Sequence, residues 1–353
     1  MRAAVLKEHR EPLVVEDRPR PDPEADGIVV RTEACGICRS DWHAWQGHGG
    51  WIDSRVPTDF VLGHEPAGTV VAVGDDVATL AAGDQVVVPF TLGCGTCAYC
   101  TTDRAQICPN RRTIGFSPDT PGAFAECLHV PAAEFNAVRL PDAVSPTEMA
   151  ALGCRFVTAY HGLAHRADPD PGDWIAVHGC GGVGLSAIQI AAATGARPVA
   201  VDIDDRSLSL ASELGARAVV DASEVDDVPA AIADITDGGA DVSLDALGVA
   251  ETCRNSVRCL DRGGTHVQIG LTTDEEAGEV SLPIDLVTAE EREILGSYGI
   301  PPTQYDEVFG LLETDAVDPG ALVTDRVGLD DVPDRLAAMG TYDNVGVEVV
   351  TEF

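Results

Sequence analysis

Residues 174–195 read WIAVHGCGGVGLSAIQIAAATG. WIAVHG is apolar without alternation, as expected for a strand buried on both faces of a parallel sheet. GVGLSAIQIAAATG carries apolar residues at helical spacing and stops at a glycine, which predicts a helix. Between them, Gly179, Gly181 and Gly184 fill the GxGxxG template, with Gly182 and Val183 completing the turn. That motif is weak alone; it gains meaning only after a strand and before a helix, as here. Glycines let the backbone approach a pyrophosphate, and the helix N-terminus supplies positive potential. RPVAVDID is the next strand and ends at Asp202. An acid there can accept hydrogen bonds from ribose hydroxyls and repels a 2′-phosphate, which favours NAD. Arg206, just beyond, leaves NADP as a secondary possibility.

Working outward, RSLSLASELG reads as a helix and ARAVVDAS as a strand. ADVSLDALG and GGTHVQIGL continue the strands, with a helix over ETCRNSVRCLDRG between them. Strands alternating with helices argue for α/β architecture with a doubly wound parallel sheet. The first ~150 residues differ: AAVLK, GIVVRTEAC, GTVVAVG, DQVVVPF and ECLHVP are short β-rich runs punctuated by Gly, Pro and Asp, and suggest an all-β core with long loops. From about Ser297 a helix (TQYDEVFGLLET) precedes a final strand (VGVEVVTEF) that could return to the first domain. No repeats or low-complexity tracts are evident.

The chain has 353 residues, enough for two cores. No run of 18 apolar residues occurs and the N-terminus lacks an apolar signal core, so a cytoplasmic setting is expected, with no membrane partner. Eleven cysteines in such a setting favour metal and thiol chemistry over disulfides. Acids outnumber Lys and Arg by 58 to 23, for a net charge of −35, and Lys7 is the only lysine. Such a surface repels nucleic acid and anionic membranes. The acids are spread along the chain rather than gathered in a tail, a pattern expected of a halophilic cytoplasm. At ~1 M salt the Debye length is about 3 Å, which screens the self-repulsion.

Cys94, Cys97, Cys100 and Cys108 lie in GCGTCAYCTTDRAQIC, a C-x2-C-x2-C-x7-C run. Four thiolates this close repel one another without a cation and suit a closed tetrahedral zinc site. An iron–sulfur cluster uses the same ligands, but no electron-transfer feature accompanies them. A second set is dispersed: CGICRSDWH (Cys35 to His43), GHEPAG with His64 and Glu65, and GCRF with Cys154. Two soft sulfurs and an imidazole from distant segments suit a zinc left open to substrate. Cys35 and Cys38 alone also read as a CxxC redox pair, without the thioredoxin context.

CGICRSDWH, GHEPAG, the four-cysteine loop, GCRFVTAY, GCGGVG and VDID, at these spacings, resemble the zinc-dependent medium-chain alcohol dehydrogenases nearly end to end. The resemblance implies a GroES-like, β-rich catalytic domain (1–153 and 298–353) split around a Rossmann domain (154–297). It implies two Zn2+ per subunit. Cys38, His64 and Cys154, with Glu65 close by, would hold a catalytic zinc, and Cys94, Cys97, Cys100 and Cys108 a structural one. Asp41 would orient His64 from behind. Zinc would lower the pKa of an alcohol oxygen, Ser40 and His43 would relay the proton through the cofactor ribose to solvent, and hydride would pass to NAD. Arg39 would contact the pyrophosphate, and Thr158, Val183 and Ile269 the nicotinamide half. Trp51, Phe90, Phe116 and Leu271 match pocket-lining positions, with Trp42 and Trp45 adding bulk nearby. Cys154, where polyol dehydrogenases of the superfamily usually have Glu, points to simple alcohols and aldehydes. One departure is Glu348, in a stretch where the family often has an arginine reaching the pyrophosphate.

The reading is therefore reversible oxidation of small primary or secondary alcohols with NAD(H). Its rivals are a polyol or amino-alcohol dehydrogenase on the same scaffold and a zinc-stabilised nucleotide sensor without turnover. The compact length resembles the tetrameric branch of the family, with a dimer as the alternative. ILGSYGI is a candidate for pairing edge strands between subunits.

Overall fold

The computed structural model describes residues 1–48, 56–273, 275–341 and 345–353. The chain divides into two compact units. One comprises residues 1–154, 299–315 and 319–353; the other comprises 155–298 and 316–318.

The first unit is built on antiparallel strands rich in β-branched residues, which pack well on pleated surfaces. Its central strand, Ile28–Ile37, pairs antiparallel with Glu65–Val73, Cys127–Val130 and Val347–Glu352. The sheet runs Val138–Arg139, Gln85–Val87, Glu65–Val73, Ile28–Ile37, Val347–Glu352, Val323–Gly328. A three-stranded sheet places Arg2–Leu6 between Val14–Asp17 and Phe60–Val61. The core between them includes Leu6, Ile28, Ile37, Leu62, Phe124 and Val350. The final strand does return to this unit, and it pairs Glu348 with Ile37. The unit is not purely β: CRSDWH, read from sequence only as a motif, forms the helix Arg39–Gln46.

The second unit holds six parallel strands in the order Ala218–Asp221, Arg197–Asp202, Trp174–His178, Ala240–Asp245, Leu260–Gln268, Glu293–Gly296. This is the doubly wound order with its switch point between the third and fourth strands of that list. Gly182–Ala193 and Asp205–Glu213 are helices. So is Val228–Thr236, which the sequence reading did not mark. Asp227 caps it through the Ala230 N–H, and Pro229 occupies its first turn, where no N–H is missed. No helix among the described residues is long and apolar enough to cross a membrane.

Candidate active site

Cys38 follows the central strand as the extended residue (φ −113°, ψ 154°) that opens the helix Arg39–Gln46. The first turn of that helix carries Asp41, which is fully buried. Its carboxylate accepts from Cys38 N (3.1 Å), Gly63 N (3.1 Å) and His64 Nδ1 (2.9 Å). One buried anion thus ties the segment of the first thiol to that of the imidazole and leaves His64 Nε2 as the free-facing nitrogen. That nitrogen is 3.1 Å from Cys154 Sγ, which is 3.5 Å from Cys38 Sγ. Ligand atoms of Cys38, His64, Glu65 and Cys154 all lie within 4.8 Å of one another. Two sulfurs on a tetrahedral zinc stand about 3.8 Å apart at Zn–S bonds of about 2.3 Å. The donor types and spacing therefore fit a zinc ion. Burial opposes a charge on His64, but the Asp41 carboxylate outweighs it, with Cys38 adding, and the imidazole pKa is raised well above its usual value.

Cys154 is placed by a break in the helix Pro146–Tyr160, where Gly153 adopts φ 31°, ψ −145°. The break frees Cys154 N–H to donate to Glu65 Oε1 at 2.8 Å. A Cβ on Gly153 would stand 2.4 Å from the Glu65 carboxylate. Gly153 is therefore part of the site through what it lacks; it opens the GCRF motif, but the motif does not show why glycine is needed there. Tyr305 is also buried here; burial, then the charges of Cys154 and Glu65, push its pKa far upward.

Phe90 and Phe116 present their rings edge-on to His64, with centroids 5.9 and 5.1 Å away. Trp45 packs in the core and donates to Glu11 O at 2.6 Å. Trp51 lies outside the described residues. Ser40 Oγ is 3.8 Å from Cys38 Sγ. His43 Nδ1 is 2.9 Å from Nδ1 of His48, a residue that sequence reading passed over. Trp42 lies edge-on to both rings, and the Arg39 guanidinium stacks on Trp42 at 3.9 Å while donating to Met339 O. Cys35 sits in the core and is not among the four clustered donors.

The four thiols at 94–108 gather within the same 4.8 Å limit. Cys97 Sγ is 3.5 Å from Cys100 Sγ and 3.7 Å from Cys108 Sγ. None of these cysteines is in a disulfide. The backbone N–H of Thr96 pulls the Cys94 pKa down to about 6, whereas burial pushes Cys100 up to about 12. The donor set and spacing fit a closed zinc site. Asn136, 1% exposed, moors the loop: it accepts from Gly93 N (2.9 Å) and donates to Gly93 O (3.1 Å) and Pro131 O (3.0 Å).

In the second unit the glycine turn follows the strand Trp174–His178. Gly179 has φ 91°, and a Cβ on Gly184 would lie 1.8 Å from Gly179 O, so this strand-to-helix approach requires glycine. A Cβ on Gly181 would meet nothing within 4 Å. That open side, at a helix N-terminus without a side-chain cap, fits a phosphate. Asp202 accepts from Cys180 N (2.6 Å) and Ile203 N (2.7 Å), so its carboxylate also braces the turn. Arg206 meets Asp204 at 3.3 Å. Val183 lies in the first turn of the helix Gly182–Ala193. Thr158 O accepts from Ser297 Oγ (3.0 Å), and Ile269 N donates to Asp245 O (3.0 Å). Leu271 is exposed.

Residues 24–142 match the family described as alcohol dehydrogenase GroES-like domain, and residues 182–314 the zinc-binding dehydrogenase family. An alcohol dehydrogenase of Geobacillus stearothermophilus is 36% identical over 273 residues, 77% of each chain. An NAD-dependent alcohol dehydrogenase of Sulfurisphaera tokodaii is 33% identical over 357 residues, 99% of each. Among solved structures, the alcohol dehydrogenase TADH from Thermus sp. ATN1 superposes with a TM-score of 0.90 at 29% identity, covering 100% of both chains. The alcohol dehydrogenase of Aeropyrum pernix gives 0.88 at 28%, covering 99% of this chain and 100% of that one.

Proposed function

Since the chain belongs to the zinc-dependent alcohol dehydrogenases, with Zn2+ and NAD as cofactors, we propose that it reversibly oxidises small primary and secondary alcohols to aldehydes and ketones at Cys38, His64 and Cys154. The observation that carries this reading is the buried donor set, with its imidazole oriented by Asp41. Zinc held by these residues would supply Lewis acidity toward an alcohol oxygen, and NAD would supply the hydride acceptor. The side chains do the rest. Asp41 holds the His64 tautomer. Glu65 anchors the Cys154 backbone. Phe90 and Phe116 shield the imidazole from water. Ser40 would take up the hydroxyl proton while releasing its own along the relay toward His43, which shares a hydrogen bond with His48 and passes a proton outward. Arg39 serves the pyrophosphate, and Thr158, Val183 and Ile269 the nicotinamide half. Cys94, Cys97, Cys100 and Cys108 hold the second, structural zinc.

NAD is preferred over NADP because Asp202 places a carboxylate at the strand end, and replacing it with Gly should narrow the preference. A homotetramer or dimer in the cytoplasm completes the reading. The oligomeric part of this reading is supported by the edge strand Glu293–Gly296, which pairs on one side only among the described residues. Initial rates with NAD and NADP against a panel of alcohols, at low and high salt, test the proposal. Alcohol-dependent NADH formation is expected; cofactor binding with no turnover on any alcohol would instead favour a nucleotide sensor.

A further inference from the structure

Two loops leave the C-terminal edge of the parallel sheet in the second unit: 246–248 after Ala240–Asp245, and 269–271 after Leu260–Gln268. Dinucleotides bind at that edge, where the strand order reverses, and Asp245 ends a strand beside the reversal. The two loops meet backbone to backbone. A Cβ on Gly248 (φ 84°) would stand 2.3 Å from Leu271 O, and one on Gly270 would stand 2.3 Å from Gly248 N. Leu247 lies against the glycine turn, for a Cβ on Gly179 would be 2.6 Å from Leu247 Cγ. Leu247 and Leu271 are both exposed, so this edge presents apolar surface.

One residue ties the loops together. Asp245 is fully buried, and a buried carboxylate is costly unless hydrogen bonds satisfy it. It accepts from Leu247 N (3.1 Å) and Gly248 N (3.1 Å) in the first loop, and from Cys253 Sγ (2.9 Å) and Gln268 Nε2 (2.8 Å). Its backbone oxygen accepts from Ile269 N (3.0 Å) and Gly270 N (2.9 Å) in the second loop. Gln268 Nε2 also donates to Gly270 O at 2.8 Å. The amide orientation is set from behind. His266 Nε2 donates to Gln268 Oε1 at 3.1 Å, and His266 Nδ1 accepts from Ser256 Oγ at 2.9 Å. Burial lowers the pKa of that imidazole, which suits a neutral ring with one donor and one acceptor. An apolar residue at the end of this strand would cost less to bury than a carboxylate. What the carboxylate adds is a fixed spacing of the two loops.

We propose that Asp245 and Gln268 are positioning residues that set the loops 246–248 and 269–271, and through them the place of the nicotinamide ring, given NAD as cofactor and Ile269 at its nicotinamide half. Neither side chain needs to touch the ring.

The test compares wild type, D245N and Q268M as zinc-loaded enzymes. It measures melting, equilibrium binding of NADH and of ADP-ribose, which lacks the nicotinamide, and kcat and KM for alcohol oxidation. D245N keeps the shape but turns an amide toward N–H donors. Q268M keeps the length and removes both bonds of the amide. Wild type that binds neither ligand overturns the cofactor reading and the inference with it. Wild type that binds both equally overturns the inference alone. With wild type favouring NADH, each variant should lose about three- to tenfold in NADH affinity, the share of one or two hydrogen bonds, while ADP-ribose stays within about twofold. The kcat should fall by more than the KM for NAD rises, about ten- to hundredfold, because transfer depends on placement to within about 1 Å. Equal losses for NADH and ADP-ribose, in step with melting, would mean a loosened sheet and overturn the proposal. So would an unchanged kcat and NADH preference in both variants. If D245N does not fold, Q268M, which keeps the carboxylate, decides. If neither folds, the pair belongs to the packing of the sheet and the proposal falls.

Discussion

Replacing Gly153 with Ala should empty the catalytic metal site while leaving the cysteine loop loaded. The new Cβ would stand 2.4 Å from Glu65 Cδ and Oε1. Carbon atoms in contact settle near 3.5 Å, so the carboxylate must retreat by about 1 Å. That retreat breaks the 2.8 Å bond from Cys154 N to Glu65 Oε1. An orphaned buried N–H costs about 1–3 kcal/mol. A side chain at φ 31°, ψ −145° adds about 1–3 kcal/mol of backbone strain. A total near 4 kcal/mol, falling on the segment that presents Cys154, corresponds to about a thousandfold in metal affinity. After dialysis against a mild chelator, wild type should retain about two zinc ions per chain and the variant about one, because the closed four-thiolate site is untouched. Melting should fall by a few degrees, with the circular dichroism unchanged. A variant with both zinc ions and wild-type melting would refute the argument that Glu65 and Cys154 require a bare Cα at position 153.

Three further outcomes are expected. Cys154→Ser and Cys38→Ser should abolish turnover in a folded protein, whereas Cys100→Ser should chiefly destabilise the fold; elemental analysis showing iron, or one metal in wild type, would contradict this. Stability and cofactor KM should improve from ~0.1 to 3 M KCl, because a net charge of −35 repels itself and the anionic cofactor until screened; equal melting and activity across that range would end the halophile reading. Acid should weaken the nucleotide-binding unit. Burial holds the His178 pKa down to about 4, against the pull of Asp245, and also lowers that of His266. Both stay neutral in the fold but take up protons in the unfolded chain below about 6.5. Their stabilisation is present above that pH and is lost as pH falls toward 4, at up to about 1.4 kcal/mol per pH unit per histidine. Melting of wild type and an H178N/H266N variant between pH 7 and 5 checks this, and equal acid sensitivity in the two would count against it.

Read alone, the sequence determined what local chemistry determines. A parallel strand, a glycine turn and a helix follow one another within 22 residues, 174–195, and their order is readable because each is specified by neighbours in the chain. The same holds for the four cysteines of 94–108, whose spacing alone brings thiolates into one loop. Charge and the single lysine are properties of composition and need no fold. What the tertiary structure decided depends on separation in sequence. Cys38 and Cys154 are 116 residues apart, and the local signal of each is weak; folding places their sulfurs 3.5 Å apart. Gly153, His48 and Asn136 were not singled out in sequence because what matters about each is a contact: with Glu65, His43 and Gly93 respectively. The pairing of the last strand with Ile28–Ile37 was only a possibility until a long-range ladder fixed it. Helical and strand periodicities encode which face of an element is buried, but not which partner buries it. That choice is made by the collective packing of distant segments, and the reactive geometry is set at the points where they meet.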